Sequence, residues 1–253
     1  MKTILAWALF DLANTFFAVA MLSFFFPLWI VEHLGAKELS YSIALGISMA
    51  CVAFVMPFCG AVSDATGERM RFLRWATYGC IAATLLIGVT SHLVLALVLF
   101  GMANFCYQLG TIFYDALLWR VAPQGRLGEI SGLGAAFGYL GSMAGLLLLW
   151  PFVRWGGYQA AFAPSAVLFL LFALPSFLLI RETRGAQLGN VHELARTAWL
   201  RLSITLRAAR TNRTIWGFLW ASFFSSSAIN TVLVFMAVYT RKVVGFTNPQ
   251  LIS

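Results

Sequence analysis

An all-α, multi-span membrane protein is the fold class that this sequence predicts, and three observations predict it. Hydrophobic residues make up 61% of the 253 residues. Charged residues make up 10%, against about 25% in an ordinary soluble domain. The apolar residues gather into long runs separated by short polar or basic stretches, and each run is near or above the ~20 residues that cross about 30 Å of hydrocarbon. So few polar residues cannot coat a globule in water, and the lipid bilayer is the expected surrounding and first partner. The expected layout is a six-span bundle over 1–180, a basic amphipathic cytoplasmic linker over 181–213, and a seventh span with its following loop over 214–253.

The net charge of +8 raises the question of nucleic acid. The basic residues, however, are spread over short loops and one linker, with no basic domain, so the membrane surface is the expected partner and nucleic acid is not. Cys51, Cys59, Cys80 and Cys106 all fall in apolar runs without metal-ligand spacing, and they read as small core residues. His33, His92 and His192 lie in loops or the linker, far apart. No metal site, cofactor or catalytic constellation is expected, and the chain does not read as an enzyme.

The first run follows Lys2 and reaches from about Ile4 to Val31. That exceeds a signal peptide's apolar core, so it reads as a retained span. After a polar loop at 32–40, the second span runs from about Tyr41 to Val62, with Pro57 as a kink near its end. A basic loop at 60–74 leads to the third span, Phe72 to Thr90, and a minimal turn at Ser91-His92 to the fourth, Leu93 to Trp119. A loop at 120–129 precedes the fifth span, Ile130 to Trp150. Pro151 to Tyr158 form a turn, and the sixth span covers Gln159 to Ile180. In the linker, Leu188, Val191, Ala195, Ala198 and Leu202 recur at helical steps with arginines between them, the pattern of an amphipathic helix lying on the inner leaflet. The seventh span runs from Thr214 to Thr240. A cytoplasmic N-terminus puts 13 of the 17 basic residues inside and leaves Lys37, Arg154, Arg241 and Lys242 outside. The expected location is a bacterial-type inner or plasma membrane.

Two acids interrupt the apolar runs. Asp11 lies roughly 10 Å into the first span, and Asp115 roughly 7 Å before the end of the fourth. A carboxylate inside a membrane costs about 2.5–3.5 kcal/mol on insertion scales at the helix centre and less near the interface, so it ordinarily faces a cavity or a partner. Each can serve as a proton carrier or, more plainly, as a helix cap or interhelical hydrogen-bond acceptor. Asn14 and Thr15 lie one turn from Asp11. Asn104, Tyr107, Gln108, Thr111 and Tyr114 draw a polar stripe along the fourth span towards Asp115, lining either a watery path or a partner helix. Ser222, Ser225, Ser226, Asn230 and Thr231 make the seventh span comparably polar. In the fifth span, Gly128, Gly132, Gly134, Gly138, Gly141 and Gly145 repeat at close-packing spacings and read as a helix-packing surface.

The basic loop contains Gly60-x-x-x-Asp64-x-x-Gly67-x-Arg69. In it Gly60 allows close helix approach, Asp64 caps or meets a helix N-terminus, Gly67 permits the reversal, and the arginines sit at anionic lipid. This spacing resembles the loop between the second and third helices of the major facilitator superfamily. Together with WALFDLANTFF (7–17), FFFPLW (24–29), IFYDALL (112–118), GRLGEISGLGAAFGYLGS (125–142) and INTVLVFMAVY (229–239), the chain resembles the superfamily's vacuole-effluxer-like branch, related to an autophagy-associated amino-acid exporter. Ser226-Ser227-Ala228 depart from that branch, which has a polar, often acidic residue there.

The resemblance implies six plus six helices around a central cavity, alternating access, and a gating role for the 60–69 loop. The expected function is that of the N-terminal part of a secondary transporter, proton-coupled, exporting small solutes, with amino acids the leading class. Asp11 and Asp115 are the expected coupling residues, and Asn14, Asn104, Tyr107, Gln108 and Asn230 line the path. With seven spans, the chain is expected to be a fragment or a truncated product that needs its C-terminal half or a second copy for a full pathway. The alternatives are an inactive truncated transporter and a non-transporting scaffold or assembly protein docking through its glycine-rich helix.

Overall fold

The computed structural model describes residues 1–180, 200, 203–204, 207–240 and 244, with the backbone alone at 61, 64–66, 233–234 and 237–238. Every regular element among the described residues is helical: α1 Lys2–Phe17, a π-helical turn Ala18–Ser23, α2 Phe25–Glu32, α3 Glu38–Thr66, α4 Arg69–Ile87, α5 Leu93–Val121, α6 Leu127–Gly156, a 3₁₀ turn Tyr158–Ala161, α7 Phe162–Leu179 and α8 Arg213–Tyr239. Most of the expected linker over 181–213, including its amphipathic stripe, lies outside the described residues.

The first span is the centre of the bundle. It packs against α6 and α7 along most of its length and touches α5 as well; α5 in turn carries α3 and α4. In the most apolar window of the first span 67% of residues are buried, against 11% for the second. Sequence explains this: Ala6, Ala8, Ala13 and Ala20 let neighbours approach, while Phe10, Phe16 and Phe17 fill the gaps between them, all at 1% exposure or less. The outer surface is apolar, with Phe54, Trp75, Tyr139, Val167 and Leu178 well exposed. Such a surface matches lipid tails.

Five helical segments among the described residues are long and apolar enough to cross a membrane: Lys2–Glu32, Glu38–Gly60, Leu93–Val121, Leu127–Gly156 and Tyr158–Leu179. Helix α4 opens with Arg69, Arg71 and Arg74, and α8 carries Ser222, Ser225, Ser226, Ser227, Asn230 and Thr231; neither is among the five.

Several boundaries differ from the sequence expectation. The first span is broken: the π turn ends at Phe24 (φ −125°, ψ −70°), and the Leu22 carbonyl accepts a hydrogen bond from the Tyr41 hydroxyl at 2.9 Å. A side chain from the next helix satisfies the backbone at the break, which is what makes it tolerable away from water. The expected loop at 60–74 is almost entirely helical. Gly67, at φ +65°, closes α3, its N–H bonding to the Ser63 carbonyl at 2.9 Å, and α4 starts two residues later. The turn expected from Pro151 to Tyr158 is shorter, because α6 runs through Pro151 to Gly156. All four cysteines are free thiols; Cys80 is core, but Cys51 faces outward rather than inward.

Side-chain bonds tie the two ends of the bundle. At the end that holds the N-terminus, the Ser176 hydroxyl donates to the Ala6 carbonyl and Arg69 donates to the Ala116 carbonyl at 2.8 Å. At the other end, Gln159 donates to the Thr90 carbonyl at 2.7 Å, and the Tyr158 hydroxyl donates to Glu32 at 3.3 Å. On the exposed turn before α6, a hydrogen bond from Arg126 to Glu129 holds the guanidinium above its ordinary proton affinity.

Candidate functional site

The glycines of α6 build the floor of the site. A Cβ placed on Gly134 would stand 2.7 Å from the Trp7 ring, on Gly138 2.9 Å from Asp11 Oδ2, and on Gly141 2.8 Å from the Leu12 carbonyl oxygen. Gly145 faces Phe16 and Val19 at ordinary contact distance. Only residues without a side chain allow α1 to lie this close, so the spacing of these glycines brings Asp11 onto the α6 backbone. Gly132 does not take part: nothing lies within 4 Å of its Cβ position. It is exposed, because its register puts it on the opposite side of the helix, and the packing expected of it is not found among the described residues. The four seam glycines are covered by α1.

Helix α5 supplies the opposite wall. Trp7 and Tyr114 stack with ring centroids 4.5 Å apart and planes 7° from parallel. The Trp7 indole N–H donates to the Tyr114 carbonyl at 3.1 Å. One turn along, Asn14 Nδ2 donates to Thr111 Oγ1 at 3.3 Å, and Thr111 donates to the Tyr107 carbonyl at 3.1 Å. Tyr107 stacks on Phe17, 4.8 Å between centroids. Thr15 donates to the Asp11 carbonyl at 2.8 Å, which leaves the Asp11 carboxylate uncommitted.

Asp11 is half-buried and Asp115 exposed. They sit on different helices, and Asp115 acts electrostatically on Asp11. Tyr107 and Tyr114 fall within reach of both. Neither carboxylate makes a hydrogen bond or ion pair with the described residues. No group of His, Cys, Asp and Glu among the described residues could hold a metal.

The structure thus gathers Asp11, Asn14, Tyr107 and Asp115 at one place. Asn104 is fully buried and donates to Ser48 Oγ of α3 at 2.7 Å, so of the two roles left open for the stripe it takes the partner helix. Gln108 is half-buried, with no hydrogen bond among the described residues. Asn230 lies on an exposed stretch of α8, and no hydrogen bond links it to the cluster. In the gating segment, Arg69 is bonded to the end of α5. No described residue lies within 4 Å of the Cβ position of Gly60, so the close packing expected there is not found among the described residues; it sits in the last turns of α3, before the reversal. The Asp64 side chain lies outside the described residues. Sequence reasoning did not single out Trp7 or Ser48. Trp7 carried one usable signal: it precedes Asp11 by four residues and so shares its helix face.

The family model of the Major Facilitator Superfamily matches residues 12–253. The chain belongs to the major facilitator superfamily. It is therefore an integral, multi-pass membrane protein of a transporter family, as the resemblance implied. It is 27% identical over 251 residues to an uncharacterised protein of Aquifex aeolicus, covering 98% of this chain and 60% of the relative. It is 23% identical over 254 residues to the uncharacterised MFS-type transporter YxiO of Bacillus subtilis, covering 92% of this chain and 59% of the relative. The chain therefore spans about three-fifths of the length of these relatives.

Proposed function

We propose that the protein containing this chain is a proton-coupled secondary transporter that moves small solutes by alternating access. Export, with amino acids as the solute class, is the direction that the vacuole-effluxer resemblance adds. In this reading residues 1–180 are the six-span N-terminal bundle, 181–213 the cytoplasmic linker and 214–253 the opening of a second bundle. The solute path needs that second bundle or its equivalent from another copy.

One observation carries the reading. Asp11 lies against the α6 backbone of a membrane bundle, its Oδ2 2.9 Å from the Cβ position of Gly138, Asp115 of α5 acts on it electrostatically, and neither carboxylate is engaged by a hydrogen bond or ion pair with the described residues. A carboxylate kept for structure is ordinarily fixed by partners that compensate its burial. One left uncommitted, on a close-packed glycine floor, is able to change protonation without dismantling the fold. Helix movement along that floor then alters the distance between the two acids, which couples proton affinity to conformation.

The test uses the complete protein in proteoliposomes with an imposed pH gradient. Asp11→Asn should reduce gradient-driven solute movement to the level seen without a gradient, while solute exchange continues. Gradient dependence equal to that of the parent protein would remove Asp11 from the coupling mechanism.

A further inference from the structure

The three arginines that open α4 do not share a role. Arg69 turns inward and donates to the Ala116 carbonyl of α5 at 2.8 Å. Arg71 and Arg74 are exposed. Arg71 meets Glu68 at 3.0 Å on the open surface, where such a pair is worth little. Arg74 makes no hydrogen bond or ion pair with the described residues.

The outward face continues in register along the helix. Positions 71, 75, 78, 82, 85 and 89 follow one another at steps of four and three, and all are exposed. Leu73, Thr77, Cys80 and Thr84, on the other side, are buried. From its basic end the stripe runs through Arg71, with Arg74 beside it, to Trp75 and Tyr78, and then to Ala82, Leu85 and Val89. The Tyr78 ring meets Phe177 of α7 edge to face at 5.8 Å, so the aromatic level bridges two helices. Charge, then aromatic rings, then hydrocarbon is the order of layers in a leaflet from headgroup to tail. From Arg71 to Val89 the helix rises about 27 Å, close to the ~30 Å of a hydrocarbon core. Helix α4 is not among the five segments apolar enough to cross by composition, so the surroundings of its basic end decide whether it crosses.

We propose that this stripe is a site for one anionic phospholipid: Arg71 and Arg74 hold its phosphodiester headgroup, Trp75 and Tyr78 pack beside its glycerol, and Ala82, Leu85 and Val89 carry an acyl chain. Guanidinium groups present planar donor forks that match phosphate oxygens. The positive end of the α4 dipole lies at the same level and favours the same charge. Two arginines one turn apart favour a headgroup with net negative charge, because a zwitterionic headgroup brings its own cation to oppose them. A lipid fits better than a protein, since the side chains are sorted by depth along the helix. The site is separate from Asp11 and does not rest on the coupling reading.

The experiment places a photoreactive benzophenone amino acid at position 82 of the complete protein, in vesicles of equimolar phosphatidylglycerol and phosphatidylcholine with the same chains. After illumination, mass spectrometry counts the adducts of each lipid. The glycerol lipid should predominate, and each arginine replaced should lower its excess about fivefold. In Arg71→Gln/Arg74→Gln the two lipids should therefore approach equal yield. Lys37→Gln/Arg154→Gln removes the same charge from exposed positions at the opposite end of the bundle, and should leave the excess unchanged. Equal yields in the parent protein overturn the proposal, as does an undiminished excess without Arg71 and Arg74. An equal fall in the Lys37/Arg154 variant also overturns it, because the preference would then follow net charge and not this site.

Discussion

Asn104 shows how an interhelical polar residue can be told from a path-lining one. It is fully buried, donates to Ser48 at 2.7 Å, and its Oδ1 has no partner among the described residues. Interhelical hydrogen bonds in membranes average about 0.6 kcal/mol and reach about 1.7 kcal/mol. Removing one partner costs more than removing the whole polar pair, because the survivor is left desolvated. Ser48→Ala should therefore lower stability in detergent by about 1 kcal/mol, as read by thermal unfolding. Asn104→Leu, close in size, leaves Ser48 with its own bond to the Leu45 carbonyl at 2.8 Å, so it should cost less, and solute flux should stay near normal. A large loss of flux at unchanged stability in Asn104→Leu would return Asn104 to the solute path. The polar stripe on α5 was visible in the sequence. Which of its members meet a helix and which meet Asp11 was not, because that depends on where α3 and α1 lie around α5.

The element that organises the fold is the seam of α1 against α6. Gly134, Gly138, Gly141 and Gly145 form it, while Gly132 stands open. At Gly141 the obstacle is backbone, the Leu12 carbonyl oxygen at 2.8 Å and Cα at 3.0 Å from the added Cβ. Backbone cannot rotate aside, so Gly141→Ala must push the helices apart; overpacking of this kind costs about 1–3 kcal/mol. Gly132→Ala should be neutral or slightly stabilising, since it meets nothing and gains helix propensity. Paired thermal unfolding of the two variants measures this, and equal losses would mean that the seam is looser than drawn. Glycine spacing alone disclosed a packing face but could not choose between the overlapping registers 128/132 and 134/138. The π turn at Ala18–Ser23 was not legible, because the residues there are as apolar as their neighbours. It exists because Tyr41 meets the freed Leu22 carbonyl, a contact between helices.

At the scale of the molecule, composition and run length disclosed a multi-span helical membrane protein, because burial in lipid demands both. What they could not disclose is that the first span is central and the second peripheral, since both are equally apolar in sequence. The alternation of helices nonetheless assigns each connection within residues 1–180 to one of two ends. Glu68 and Gln124 fall at the end shared with the N-terminus; Ala36, Ser91 and Gly157 fall at the opposite end. Each end is tied across helices, by Arg69 to Ala116 at one and by Gln159 to Thr90 at the other. From the basic-residue bias the first end is expected in the cytoplasm. Single cysteines at positions 68, 91, 124 and 157, introduced where the four native cysteines have been replaced, should sort into two classes towards a membrane-impermeant thiol reagent. In intact cells 91 and 157 should react and 68 and 124 should not; in inverted vesicles the pattern should reverse. If 68 and 91 label from the same side, α4 does not cross. Its three arginines would then hold it at the surface, and α5 would have to start from the side where α3 ends. That outcome would break the pairing of Asp11 with Asp115, because α5 would run in the opposite sense beside α1 and carry Asp115 to the other face of the membrane.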